Sequence, residues 1–172
     1  SYAEAHNNLG IALQKLNKTD MAIPNYKKAL ELKKNFIEAF HNLGNAYIDV
    51  DKPENSLWYF NKALKIDPLY AEAYNGLGAA NEKIGKKNDA LKYFKKAIEI
   101  RPNYYEAYYN LGTLLSSQSS YYEAIFNLKK AIQLNSNYEK AYNNLGNVFN
   151  ILGMFDQAVD AYQQAVKIKP NY

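Results

Sequence analysis

The chain has no cysteine, a single arginine, two histidines, a single tryptophan and five prolines among its 172 residues. Without cysteine there is no disulfide, no thiolate nucleophile and no thiolate metal ligand, a usage expected of a cytoplasmic or otherwise intracellular protein. With Arg101 as the lone arginine, the forked donor that reads bases and phosphates is nearly missing, so no nucleic-acid partner is expected. No apolar run approaches the length of a membrane helix and no charged-then-apolar leader opens the chain, so no membrane partner is expected either. Nucleophilic catalysis needs a nucleophile, a base and an orienting group. His6 lies in an apolar row and His41 has no matching cluster. No metal-ligand spacing, phosphate-cradling loop or recurring carboxylate pair is present. The expectation is no enzyme activity, no catalytic residue, no cofactor and no metal.

What the chain does have is apolar content of 48%, 17 tyrosines and abundant asparagine. It also has a period. Gly10, Gly44, Gly78, Gly112 and Gly146 recur in "NLG" or, once, "GLG". Five units of equal length follow: 3–36, 37–70, 71–104, 105–138 and 139–172. Tyr2 then matches the close of an earlier unit, so the chain reads as one array, 1–172, cut from a longer one. Rows such as Ala39/Ala73/Ala107/Ala141 and Leu43/Leu77/Leu111/Leu145 mark one face of a first helix. Turn and capping residues follow, with Pro53 suited to a first helical turn and Ser120–Glu123 at capping-box spacing. A second helix carries Tyr26/Phe60/Phe94/Leu128/Tyr162 and Ala29/Ala63/Ala97/Ala131/Ala165. Pro24 interrupts this helix in the first unit, and an irregular start is expected there. The glycine row lets neighbouring helices approach closely. Phe36, Tyr70, Tyr104, Tyr138, Tyr2 and Tyr172 mark the unit junctions, where they are expected to serve packing.

A helix–turn–helix of this period, with aromatic-x-x-Leu-Gly, a central Ala-x-x-x-aromatic and a late proline, resembles the tetratricopeptide repeat. The resemblance spans the whole chain. It implies an all-α, right-handed superhelical solenoid of stacked helix-turn-helix repeats whose first helices line a concave groove for peptides or helices. Mapped onto that groove, the equivalent places hold Asn8, Asn42, Gly76, Asn110 and Asn144; then Asn45, Ala79 and Asn147 one turn on; then His41, Asn75, Tyr109 and Asn143 alongside. A primary amide both donates and accepts, so such a wall can pair with the main chain of an extended segment of any sequence. The function expected is a non-catalytic scaffold for a protein or peptide segment. Two alternatives stay open: the substrate-recognition region of a larger enzyme, such as an O-linked N-acetylglucosamine transferase, and a scaffold that self-associates end to end through an apolar patch at Tyr162, Val166 and Ile168. Relatives that clamp chaperone C-terminal tails use lysine and arginine in the groove; here only Lys140 is cationic at those places, and Glu4, Glu38, Glu72 and Glu106 form an acidic row. No chaperone tail is expected as partner.

Gly76 stands where its siblings carry asparagine. Two readings stay open, a hollow that admits a bulky partner side chain and neutral drift at an exposed place. On the first, Gly76→Asn should weaken peptide binding while slightly raising stability. Trp58 and Phe126 share a place in the second helix held elsewhere by Pro24, Lys92 and Asp160, which predicts a convex, exposed position.

Overall fold

The computed structural model describes residues 1–170 and, among these, contains ten α-helices and no strand. Tyr172, and with it the close of the fifth repeat, lies outside the described residues. The chain divides into two compact units. The first, Ser1–Ile100, holds α1 (Tyr2–Lys15), α2 (Thr19–Leu32), α3 (Ile37–Asp49), α4 (Pro53–Ile66), α5 (Ala71–Lys83) and α6 (Lys87–Ile100). The second begins at Arg101 and holds α7 (Tyr105–Ser117), α8 (Tyr121–Leu134), α9 (Glu139–Ile151) and α10 (Phe155–Ile168). Odd-numbered helices are the first (A) helices of their repeats and even-numbered ones the second (B) helices.

Every A helix stops the same way. Asn17, Asp51, Gly85, Ser119 and Gly153 all take a left-handed backbone, with φ of 57°, 56°, 84°, 61° and 72°. The next residue's N–H reaches back to the last turn: Lys18 to the Leu13 carbonyl at 2.9 Å, Ser120 to that of Leu115 at 2.9 Å. This is the Schellman arrangement, which satisfies carbonyls that the helix end leaves open. Only two of the five residues are glycine, so the others carry the steric penalty of a Cβ in this region. Ser119→Gly should therefore raise the unfolding free energy of the second unit by about 1 kcal/mol, read by urea titration.

The same turn explains why the Ser120–Glu123 spacing makes no capping box. Ser120 is the residue before α8, yet its side chain makes no cap bond. Its N–H, which Glu123 would need, is already committed to Leu115. Pro53, by contrast, opens α4 as expected. Pro24 does not disturb α2: the helix starts at Thr19 and continues without a break to Leu32. The bond the proline forfeits is the one to the Asp20 carbonyl, on an exposed first-turn residue that water can serve.

Packing follows the rows. In each unit an A helix lies against its own B helix, and α2, α4 and α8 each lie against the A helix that follows. Leu43 and Ala46 of α3 join Ala22 and Tyr26 of α2 in one buried cluster. Ala73 and Leu77 of α5 join Phe60 and Ala63 of α4 in the next. A hairpin thus buries its stripe only by stacking on its neighbour. Tyr2, Ala5 and Leu9, at the corresponding places of α1, are exposed, so Tyr2 does not pack as its row predicts. Phe36 is buried with Ala3, Ala29 and Ala39.

The glycine row makes room for the B helix of the same repeat. A Cβ on Gly10 would lie 2.5 Å from the Tyr26 ring, on Gly44 2.6 Å from Phe60, and on Gly78 2.5 Å from Phe94. Where the aromatic is replaced, at Leu128, the Cβ of a substituted Gly112 would meet Leu128 Cγ at 2.9 Å.

Candidate functional site

Within the first unit, α1 lies against α3 and α3 against α5. These contacts bring the predicted amide residues of three A helices onto adjoining surface. Asn8 is exposed, while Asn42, Asn45, Asn75, Ala79 and His41 are half-buried. Asn42 donates from Nδ2 to Oδ1 of Asn7 across the α1–α3 boundary at 3.0 Å. Asn45 Nδ2 lies 3.1 Å from His41 Nε2 on the same helix. Further along, Gln14 accepts a hydrogen bond from the Tyr26 hydroxyl and donates from Nε2 to Asp49 Oδ2 at 2.8 Å. Burial, followed by the Asp49 charge, pushes the Tyr26 hydroxyl up to about 12.

In the second unit, α7 lies against α9. Asn144 donates from Nδ2 to the Tyr109 hydroxyl at 3.3 Å and to Thr113 Oγ1 at 3.0 Å. The Tyr162 hydroxyl donates to Asn147 Oδ1 at 2.8 Å. Asn110 and Asn143 are half-buried on the same two helices. The Tyr109 ring stands edge-on to Tyr138, with centroids 5.0 Å apart.

These polar steps share a register. Asn7–Asn42, Gln14–Asp49 and Tyr109–Asn144 are each separated by 35 residues, one more than the repeat. In these three pairs residue n of one A helix meets residue n+35 of the next A helix of the same unit, and Thr113–Asn144 adds a 31-residue step. The amides are therefore partly spent on one another: Asn42 commits one N–H to Asn7, whereas Asn144 commits its amide nitrogen to both Tyr109 and Thr113 and keeps its oxygen as an acceptor. Gln14 and Asp49 escaped the reading of the rows because rows compare residues a whole repeat apart, whereas contacts run one residue beyond it.

His41 sits at the centre of the first unit's face. Its ring packs against Phe60 with centroids 5.9 Å apart and edge-on to Tyr70 at 5.8 Å. Burial lowers its pKa from the ordinary histidine value, with the Glu72 charge and the Asn42 amide opposing. The unfolded chain thus takes up this proton first as pH falls. Stability should decline as pH drops below about 6.5, at no more than about 1.4 kcal/mol per pH unit. Urea titrations of His41→Gln beside the parent chain check this: the variant should lack that increment of acid sensitivity, and parallel slopes would contradict it.

Gly76 corrects both readings of an exposed place. It is buried, and a Cβ there would lie 2.4 Å from the Phe60 ring. The hollow exists but Phe60, from the preceding repeat, fills it.

Outside this face, Trp58 and Phe126 are exposed as their mixed row predicts, at 55% and 68%. At α10, Val166 and Val159 are exposed, while Tyr162 and Ile168 are half-buried. Val159, Tyr162 and Val166 border an open hollow of about 440 Å³. No group of three or more histidine, aspartate or glutamate side chains fit to hold a metal occurs among the described residues, and none of their helices is long and apolar enough to cross a membrane.

The two units define a stacked-hairpin repeat protein that presents amide-rich A-helix surface. A model of the tetratricopeptide repeat matches residues 3–36, 71–104 and 139–172; others of the same description match 37–68 and 93–126, and a TPR repeat model matches 114–153. The chain belongs to the tetratricopeptide repeat family. No curated protein matches it. Among solved structures, MamA is 30% identical, with 94% of each chain covered and a TM-score of 0.73. TTC0263, a thermophilic TPR protein of Thermus thermophilus, is 20% identical over 98% of this chain and 92% of its own, with a TM-score of 0.90. YrrB, described as a TPR protein with an unusual peptide-binding site, is 24% identical over 97% of this chain and 86% of its own, with a TM-score of 0.65.

Proposed function

We propose that the chain is a non-catalytic scaffold whose A-helix faces hold an extended protein segment through that segment's main chain. The observation that carries the reading is the adjoining of Asn8, Asn42, Asn45 and Asn75 on three contiguous A helices of the first unit. A primary amide there can donate to a peptide carbonyl and accept from a peptide N–H, whatever side chains the segment carries. Asn110, Asn143, Asn144 and Asn147, with Tyr109, extend the same chemistry to the second unit. Ala79 offers no polar contact but leaves room for a backbone to approach. Each amide contact contributes only about 0.5–1.5 kcal/mol, so several must act together.

Charge selects against one class of partner. Glu38 is exposed on this side and Glu72 is half-buried, while the exposed Glu4 is paired with the Ser1 amino group at 2.7 Å and Lys33 at 3.8 Å. A terminal carboxylate brought here meets like charge, so an acidic chaperone tail is a poor ligand.

The test is a fluorescence-anisotropy titration with a panel of labelled, uncharged peptides of unrelated sequence. The expected result is binding of similar strength across the panel, weakened about tenfold by Asn8→Ala combined with Asn45→Ala. A single tight binder amid non-binders, or no effect of the double substitution, would contradict main-chain recognition.

A further inference from the structure

We propose that the first unit carries a second docking groove, on its B-helix side between α2 and α4, which takes an acidic protein segment bearing one apolar anchor residue. Trp58 of α4 is 55% exposed. Its indole meets the Phe40 ring edge-on with centroids 6.2 Å apart and the Tyr59 ring at 4.8 Å. It forms one wall of an open cavity of about 340 Å³, floored by Leu30, Phe40 and Leu43. A large aromatic held half in water beside an apolar hollow is what an anchor side chain can cover.

Repeat packing does not call for this indole. The equivalent groove in the second unit, lined by Tyr142, Leu145 and Phe149, has Asp160 at the place of Trp58. The two grooves otherwise correspond: Lys27 lies 5.8 Å from the Tyr47 ring, and Lys129 lies 5.7 Å from the Phe149 ring. The hollow belongs to the fold, whereas the tryptophan is particular to one copy of it.

Charge fixes the class of partner. Lys27 and Lys34 stand on the cavity rim, and Lys62 Nζ lies 4.9 Å from the Trp58 ring. The one acid among the lining residues, Glu31, is already held by Lys28 at 2.9 Å. In the next hollow along the same side, Lys92, Lys95 and Lys96 stand beside Tyr74 and Tyr93, and the one acid of that lining, Glu99, is held by Lys96 at 2.8 Å. A segment leaving the Trp58 cavity in that direction meets three lysines and one glutamate, a lining of net positive charge. The amide face, with its glutamates, has the opposite preference, so the two surfaces sort partners by sign. The apolar floor of Leu30, Phe40 and Leu43 beside Trp58 is the size of one side chain's contact surface.

Trp58 is the only tryptophan, so its emission reports the groove without a label. The probe is a short synthetic peptide in which aspartate and glutamate flank a single central phenylalanine. The expected result is a saturable change in Trp58 emission that weakens with salt. Lys27→Glu with Lys34→Glu should weaken it about tenfold or more, with helical circular dichroism retained and the uncharged-peptide binding of the amide face intact. Four results would overturn the proposal: no emission change to millimolar peptide; an equal response to a peptide with lysine in place of the acids; a change that follows protein concentration alone together with dimer in sedimentation; or a response to anionic vesicles but not to the acidic peptide. Because the amide face is read by anisotropy of uncharged peptides, failure of one surface is distinguishable from failure of the other.

Discussion

Phe60→Ala should remove about 3–5 kcal/mol from the stability of the first unit. Phe60 is fully buried. Its ring fills the spaces left by two glycines, Gly44 of its own repeat and Gly76 of the next, and it also meets His41. On two of its sides nothing can move into the void, because Gly44 and Gly76 have no side chain there. Both repeats that depend on the ring lose packing together, so the effect falls on a repeat interface and not only within one hairpin. Urea unfolding followed by Trp58 emission measures it, since Trp58 lies on the same helix. A loss under about 1 kcal/mol would show that the ring is not the keystone described here.

Gly76→Asn should lower stability by about 1–3 kcal/mol, although an exposed helical glycine replaced by almost any residue gains. The new Cβ would lie 2.4 Å from the Phe60 ring, so the ring or the helix must shift. The sign separates the two accounts. Gain of stability would mean an exposed place; loss means a filled one. A double substitution sharpens the point. Gly76→Ala with Phe60→Leu should cost less than the sum of the two, because the smaller side chain returns space to the Cβ.

Much of this architecture was legible in the residues. Helix ends at Asn17, Asp51, Gly85, Ser119 and Gly153 follow from the period, and so does the burial of the alanine and leucine rows. The face bearing Asn8, Asn42, Asn45 and Asn75 follows too, because helical spacing places these residues on one side of A helices that stack in register. What periodicity could not convey was the direction in which a side chain leans. Gly76 looked exposed by comparison with Asn42 and Asn110, yet Phe60 reaches across the repeat boundary to cover it. Ser120 looked like a cap, yet the preceding turn had already used its N–H. Tyr2 shares a row with Phe36 but is 85% exposed, where Phe36 is 6%. Each of these depends on the neighbouring element, which a row of equivalents does not contain. Polar residues at a spacing of 35 are the signal that would have exposed the cross-repeat steps Asn7–Asn42 and Gln14–Asp49 beforehand.

The amide face is tested most directly by the side-chain NH₂ resonances of asparagine in a nitrogen-15 labelled sample, followed during titration with an uncharged extended peptide. The account predicts that Asn8, Asn42, Asn45 and Asn75 shift first and together, ahead of Asn61 on α4, which bonds to its own helix at 2.8 Å. Shifts gathered on the B helices, with these four unmoved at saturation, would contradict it.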